Sequence, residues 1–285
     1  VYIAPAMNVD MYQHPAVQDN LALLAKRGTH FIDPNEGYLA CGYTGKGSLA
    51  EPEEIVAYLQ RALSTKRPLA GKKLLVTAGP TQEQIDPVRY LTNYSSGKMG
   101  FSIAEAGAQM GAEVTLVAGP VNLPTPKGVN RIDVVSTDDM YQAVIKHYSD
   151  QDIVIKSAAV SDYRPAKQAN EKIKKQSEQM AIELERTQDI LKTLGEQKTT
   201  QFLVGFAAET TNVENYGKQK LIDKNLNAIV INDVSKAGIG FGSDDNEVLI
   251  LVNDGTEIKI DQTSKLAIAN QLLTEISRRL EDKEQ

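Results

Sequence analysis

LLVTAGPT (Leu74–Thr81), DPVRYLTNYSSGKMG (Asp86–Gly100) and FSIAEAGAQMGAEVTLV (Phe101–Val117) decide how this chain folds. The first run is apolar and β-branched, the composition of a strand. The third places small and apolar residues at helical spacing and then returns to a β-branched strand. Between them a Gly/Ser-rich loop carrying a lysine, Ser95–Gly100, opens directly into the helix. Backbone N–H groups at a helix N-terminus, beside residues small enough to let a ligand approach, bind phosphate or carboxylate anions. A nucleotide or a phosphorylated substrate is the first expectation.

Outward from that unit, strands and helices keep alternating. Strands are expected at Leu74–Ala78, Glu113–Ala118, Arg131–Val135, Ile153–Ala158, Phe202–Phe206 and Ala228–Ile231. Helices are expected at Gly100–Met110, Asp138–Tyr148, Asp189–Gln197, Val213–Asn225 and Thr263–Leu280. Such alternation predicts an α/β fold: a mostly parallel, Rossmann-like sheet flanked by helices, with ligands beyond the carboxyl ends of the strands. Glu247–Val252 and Thr256–Ile260, split by Asn253-Asp254-Gly255, read as a terminal β-hairpin. Upstream, the polar, basic stretch STKRPLAGKK (Ser64–Lys73) has linker composition and places a boundary between 1–66 and 67–285. Residues 1–66 then form a small α/β piece with helices near Pro15–Arg27 and Pro52–Leu63.

The 285 residues carry 31 Lys+Arg against 37 Asp+Glu, a net charge of −6, which disfavours a general nucleic-acid or membrane-surface binder. A single cysteine, Cys41, precludes an internal disulfide and suits a reducing cytoplasm. The chain opens at Val1 inside what reads as a working segment, VYIAPAMN, and is expected to be part of a longer polypeptide.

Polar and glycine residues gather in the loops after the strands. Ser95–Gly100 is not a Walker A loop, because Met99 follows Lys98, and no G-x-G-x-x-G follows the first strand. Asn93, Ser95, Ser96, Gly97 and Lys98 nevertheless supply several donors at one helix start. Asp162, in AAVSDYRP, could hold a base edge, a ribose or a metal, or could simply form a turn. EKIKK (Glu171–Lys175) is either a solvated charge run or a basic flap over a triphosphate. Lys220 and Lys224, spaced i, i+4, share one helix face. His14, His30 and His147 are scattered, so a zinc site is not expected. Cys41 sits among Gly37, Gly42, Gly45 and Gly47, a setting for an exposed acid or nucleophile.

Taken in order, DPVRYLTNYSSGKMG, AAVSDYRP, EKIKK, GFAAET and NDVS resemble the ligase half of the bifunctional phosphopantothenoylcysteine decarboxylase/phosphopantothenate–cysteine ligase family of coenzyme A biosynthesis. PAMNVDMY and GYLACGYTGKGSLAEP resemble the end of its flavin-dependent decarboxylase. The resemblance implies that 67–285 is a complete ligase domain and 1–66 only the C-terminal part of the decarboxylase. It implies joining of 4′-phosphopantothenate to L-cysteine with CTP, through an acyl-cytidylate, with Mg²⁺ on the triphosphate. Asn93 would contact the activated acyl group and Lys172 would neutralise phosphate charge from a flap. Asp162 and the Lys156, Ser157 and Ala158 backbone would surround the nucleotide, as would Gln188, Asp189, Ile190 and Leu191; Gln188 stands where the family has proline. Phe206, Lys220 and Lys224 would line the same pocket, and Asp162 is a candidate metal ligand. Ser95, Ser96, Gly97 and Lys98 are assigned to substrate anion binding. In the decarboxylase piece, Asn8 would bind substrate and Cys41 would donate a proton, while Tyr12 stands where tryptophan is usual. The family's flavin-binding strands and catalytic histidine lie upstream of PAMN, so FMN is expected only in a full-length protein. A homodimer through the ligase domain is also implied.

Two other classes fit the same architecture less well. An NAD(P)-dependent oxidoreductase on the same sheet would want the missing glycine fingerprint and a Tyr-x-x-x-Lys pair. A non-catalytic flavoprotein partner would have no use for Asn93, Lys98, Asp162 and Lys172 together.

Overall fold

The structure is a computed structural model that describes residues 1–38, 44–63, 67–174, 180–209, 213–233 and 242–284. The chain divides into two units, Val1–Lys66 and Arg67–Gln285.

In the first unit, β1 (Tyr2–Ile3) pairs in parallel with β2 (His30–Phe31), across α1 (Val9–Gln13) and α2 (Pro15–Lys26). β3 (Asn35–Tyr38) and β4 (Thr44–Ser48) form an antiparallel pair before α3 (Pro52–Leu63). Pro15 begins α2 at the position where its missing N–H costs nothing, and His14 Nδ1 accepts from Ala16 N at 3.2 Å. Among its described residues few apolar side chains are buried, Pro5, Ile32, Pro34 and Ala50.

The second unit runs β5 (Lys73–Ala78), β6 (Gln82–Asp86), β7 (Arg89–Thr92), α4 (Lys98–Gln109), β8 (Glu113–Ala118), β9 (Val129–Asp133) and α5 (Thr137–Tyr148). It continues through β10 (Ile153–Lys156), β11 (Tyr163–Pro165), β12 (Leu184–Arg186), α6 (Ile190–Gln197), β13 (Phe202–Glu209) and α7 (Val213–Asp223). β14 (Ala228–Asp233), β15 (Asp245–Val252), β16 (Glu257–Ser264) and α8 (Lys265–Glu284) complete it.

Eight strands form one sheet in the order β16-β15-β14-β13-β10-β5-β8-β9. From β9 to β14 all neighbours are parallel, and β15 and β16 add an antiparallel edge. This is the mostly parallel α/β sheet expected from the alternation. The chain moves outward from β5 to β8 and β9, then returns to the other side of β5 with β10. Strand order therefore reverses between β5 and β10, and a crevice opens beyond their carboxyl ends.

Strand side chains alternate between faces, so two cores form. Leu74, Val76, Ile153, Ile155, Val204 and Val230 pack with Ile103, Ala104, Leu272 and Ile276 of α4 and α8. Leu75, Val154, Leu203 and Ile229 pack with Met140, Val144, Ile190, Leu194 and Leu221 of α5, α6 and α7. α4 lies close on β5: a Cβ on Gly100 would come within 2.5 Å of the Ala78 Cβ.

Two departures from the expected elements matter for the site. The stretch between β5 and α4 is not one long loop, because β6 and β7 pair antiparallel within it. Its residues are polar, yet Glu83 is buried and its Oε1 accepts from Thr137 N at 2.9 Å and Thr137 Oγ1 at 2.7 Å. β11 and β12 likewise pair across a polar stretch. The terminal hairpin is longer than expected, and Gly255 at φ 90° takes its turn, with Asp254 Oδ1 accepting from Thr256 N at 2.9 Å.

Candidate active site

A cavity of about 830 Å³ occupies the crevice at the carboxyl ends of the sheet. The loop before α4 forms one wall with Asn93, Ser95, Ser96, Gly97 and Lys98. Gly97 is the N-cap of α4 at φ 76°, a left-handed conformation that glycine adopts without strain, and no side chain caps this helix. The first-turn N–H groups are thus left to the cavity. Lys98 Nζ reaches across to Asp244 Oδ1 at 2.6 Å and the Gly242 carbonyl at 3.1 Å.

Asn93 follows β7, where Thr92 Oγ1 donates to the Thr81 carbonyl at 2.7 Å. Its Nδ2 donates to the Val160 carbonyl at 3.1 Å, joining this loop to the one that follows β10. That second loop is held from below by buried hydroxyls. Ser161 N donates to Thr81 Oγ1 at 3.0 Å, and Thr81 Oγ1 lies 3.1 Å from Thr137 Oγ1. Ala158 N donates to Thr77 Oγ1 at 3.2 Å. Asp162 follows this anchored stretch and is exposed at the cavity.

On the α6–α7 face stand Lys156, Lys220 and Lys224, with Phe206 and Asn232 across the strand ends. Asp189 caps α6, its Oδ1 accepting from Lys192 N at 3.0 Å, and its Oδ2 pairs with Lys224 Nζ at 2.9 Å. Gln188, Ile190 and Leu191 line the cavity beside it. The Lys192 N–H and the Lys224 ammonium outweigh burial and hold the Asp189 carboxyl below its usual range. Burial and the nearby Lys224 charge push Lys156 down to about 8, against the opposing pull of Asp189 and Asp162. A folded-state value below the ordinary lysine range means the folded protein holds fewer protons than the unfolded chain above pH 8. Stability from this group accordingly rises with pH between about 8 and the ordinary lysine value of 10.5. Anion affinity moves the opposite way: the apparent dissociation constant for an anion held in this cavity, such as pyrophosphate, is expected to climb as pH passes about 8, and Lys156→Met should flatten that rise. A profile in Lys156→Met that keeps the full rise would assign the titration elsewhere.

Not every expected residue reaches the cavity. Lys172 is absent from its walls. It precedes Ile173, whose N–H donates to Asp86 Oδ2 at 3.1 Å and whose carbonyl accepts from the Arg89 guanidinium at 2.9 Å. Asp86 is buried and also accepts from Arg89 Nε at 2.9 Å, and the guanidinium holds its carboxyl far below the usual range. The β6–β7 hairpin thereby tethers the basic segment. A depressed carboxyl keeps this tether above the ordinary carboxylate range and loses it as pH falls below that range. Asp86→Ala should accelerate tryptic cleavage at Lys172 and Lys174; an unchanged cleavage rate would mean the tether is not what protects them.

Asn8 lies in the first unit as the N-cap of α1, its Oδ1 accepting from Asp10 N at 2.8 Å. Cys41 lies outside the described residues. Lys265, Asn246, Tyr163 and Arg186 also line the cavity and were not expected from sequence. Among the described residues, no group of three or more His, Cys, Asp or Glu could cage a metal. Also among them, no helix is long and apolar enough to cross a membrane.

Residues 69–280 match the family model described as DNA/pantothenate metabolism flavoprotein C-terminal domain, and residues 1–64 match the Flavoprotein model. The chain is 53% identical to the coenzyme A biosynthesis bifunctional protein CoaBC of Bacillus subtilis over 97% of its own length and 69% of that protein's. Against the CoaBC of Haemophilus influenzae the identity is 49%, over 98% of this chain and 70% of the relative. A crystal structure of the C-terminal domain of a CoaBC protein is 49% identical, with a TM-score of 0.66, covering 76% of this chain and all (100%) of that one. The matches span both units, and the chain belongs to the family of bifunctional coenzyme A biosynthesis proteins.

Proposed function

We propose that residues 67–285 form a phosphopantothenate–cysteine ligase and residues 1–66 the C-terminal part of a flavin-dependent phosphopantothenoylcysteine decarboxylase. The carrying observation is one cavity at the strand-order reversal that gathers Lys98, Lys156, Lys220 and Lys224 beside Asn93. Such a gathering of cations suits two phosphorylated substrates, and a carboxylate needs a phosphoryl leaving group before an amine can displace it.

In this reading the carboxylate oxygen of 4′-phosphopantothenate attacks the α-phosphorus of CTP. A P–O bond forms and pyrophosphate leaves. The cysteine amine, having released a proton, then attacks the acyl carbon. A C–N bond forms, the acyl C–O bond breaks, and CMP departs with the electron pair while the nitrogen sheds its second proton. The protein's contribution is positioning and charge neutralisation. Lys156, Lys220 and Lys224, with Asp189 fixing Lys224, are proposed for the nucleotide, together with Ser157, Ala158, Asp162, Gln188, Ile190, Leu191 and Phe206. Ser95, Ser96, Gly97 and Lys98 are proposed for substrate anions, and Asn93 for the acyl group. Lys172 is proposed to act only if its segment moves from the Asp86 tether to the cavity.

Mg²⁺ suits a site that contributes one or two carboxylates and leaves the remaining positions to phosphate and water. Asp162 and Asp189 line the cavity, and among the described residues Asp162 is the one not tied to a lysine in an ion pair. Asp162 would hold the ion, which when bound supplies neutralisation of triphosphate charge. FMN and the decarboxylase roles of Asn8 and Cys41 are proposed for the full-length protein, as the family resemblance implies. The reading also pairs two copies through the ligase unit, where Val88, Tyr90 and Tyr94 are exposed.

The direct test is pyrophosphate release from CTP, ATP, GTP and UTP with 4′-phosphopantothenate, with and without L-cysteine. Release with CTP and amide formation on adding cysteine are expected. Reduction of substrate by NADH with no nucleotide turnover would overturn the ligase reading in favour of an oxidoreductase.

A further inference from the structure

Behind the cavity wall lies a cluster of buried polar side chains that the ligation chemistry does not itself use. Thr81 is fully buried, Glu83, Thr137 and Ser161 are 4%, 2% and 6% exposed, and none of the four lines the cavity. They come from separate parts of the fold: the turn between β5 and β6, β6 itself, the start of α5 and the loop after β10. Burying polar groups costs free energy unless each finds a partner, and apolar side chains would fill the same space more cheaply. The partners show what the cluster holds.

Glu83 Oε1 accepts from Thr137 N at 2.9 Å and from Thr137 Oγ1 at 2.7 Å. A hydroxyl has one proton to give. Thr137 gives its proton to Glu83 rather than to the Ser161 carbonyl, 3.4 Å away, and its oxygen is left to accept. Thr81 Oγ1, 3.1 Å from that oxygen, is then the donor, with Ser161 Oγ at 3.3 Å the longer alternative. Its proton committed, Thr81 Oγ1 turns a lone pair to the Ser161 N–H at 3.0 Å. One carboxyl group so sets the direction of every bond from β6 to the loop after β10.

The far end of this chain of bonds is one residue from a contact of Asn93. Val160 precedes Ser161, and its carbonyl accepts from Asn93 Nδ2 at 3.1 Å. Thr187, just after β12, steadies the same loop: its Oγ1 donates to the Ser161 carbonyl at 2.6 Å and its N to the Asp162 carbonyl at 3.0 Å. Asn93 is held from its own strand as well, because Thr92 Oγ1 donates to the Thr81 carbonyl at 2.7 Å. That bond uses the main chain of Thr81 and survives loss of the hydroxyl. The hydroxyl chain is what ties the Val160 carbonyl, and with it the Asn93 amide, to Glu83.

Resting on the ligase reading, we propose that Glu83 is a positioning residue for ligation. Acting through Thr137 and Thr81, it fixes the loop after β10 so that the Val160 carbonyl orients the Asn93 amide toward the acyl group. Glu83 itself stays behind the wall and meets no substrate. Its task is to accept from two donors, which a glutamine oxygen at the same place also does, so the position requires an acceptor rather than a negative charge.

The test is steady-state kinetics of pyrophosphate release and amide formation on the full chain, with circular dichroism and melting of each variant. Glu83→Leu and Thr81→Val should lower turnover roughly ten- to a hundredfold, the cost of slightly misplacing a catalytic group, with the nucleotide KM little changed. Glu83→Gln and Thr81→Ser, which restore the acceptor and the hydroxyl, should recover most of the loss. In Asn93→Ala the chain of bonds has no amide left to orient, so adding Thr81→Val should cost no more than about twofold. Independent, multiplying losses in that double variant would overturn the proposal, as would normal turnover in folded Thr81→Val. Glu83→Gln as slow as a folded Glu83→Leu would overturn the acceptor role. If Glu83→Leu does not fold, Thr81→Val and its cycle with Asn93→Ala decide. No pyrophosphate release by the unsubstituted protein would overturn the ligase reading and this one with it, whereas the other outcomes leave that reading standing.

Discussion

Asn93→Ala is expected to lower ligase turnover by roughly 10²- to 10³-fold, the loss typical of removing one preorganised donor from a site where charge develops. The side chain is exposed at the cavity, so its melting temperature should hardly move. Donation by Asn93 serves two ends in this site. Asn93 Nδ2 donates to the Val160 carbonyl at 3.1 Å, pinning the loop that precedes Asp162. It also stands where an acyl group would sit between that loop and the α4 N-terminus. Asn93→Asp keeps the shape and an acceptor but removes both N–H donors. If donation is what matters, aspartate should be as slow as alanine. Turnover in either variant within a few-fold of the unsubstituted protein would take Asn93 out of the mechanism.

Much of this arrangement is legible in the sequence. The β5, β8, β10, β13 and β14 runs are apolar because they are buried on both faces, and such runs stand out in sequence. The Ser95–Gly100 loop and the polar residues after each strand were legible for a similar reason, since small residues at a helix start have few other uses. The β6–β7 hairpin was hidden. Gln82, Glu83 and Gln84 carry no β-signal, and what holds Glu83 inside is Thr137, distant in sequence. Lys265 was hidden for a topological reason: the β15–β16 hairpin carries the chain out and back, and only then does α8 begin at the cavity. Lys172 illustrates the converse. Its motif was conspicuous, but Asp86 and Arg89 hold the following residue elsewhere, and no spacing rule reveals a tether made by residues so far upstream.

The second large effect lies away from the chemistry, at Gly195. A Cβ there would come within 2.0 Å of the Lys224 carbonyl oxygen and 2.8 Å of its carbon, and a backbone carbonyl cannot swing aside as a side-chain tip can. The α6 and α7 ends meet closely at this point. Asn225 Nδ2 donates to the Gly195 carbonyl at 2.9 Å, and Asn225 is the single non-glycine residue with positive φ among those described. Tyr148 Oη donates to the Leu194 carbonyl at 2.8 Å from below. Gly195→Ala must therefore separate the two helices, and overpacking of this kind costs about 1–3 kcal/mol. For a unit of this size that corresponds to a fall in Tm of roughly 2–12 °C. The displaced residue is Lys224, whose Nζ holds Asp189 at 2.9 Å on the side of the cavity proposed for the nucleotide. A higher nucleotide KM should thus accompany the lower Tm. Lys224→Met offers the contrast, raising the nucleotide KM with little change in Tm because the ammonium is partly exposed. If Gly195→Ala melted normally while its KM rose, the close approach of α6 and α7 would not be what sets Lys224 in place.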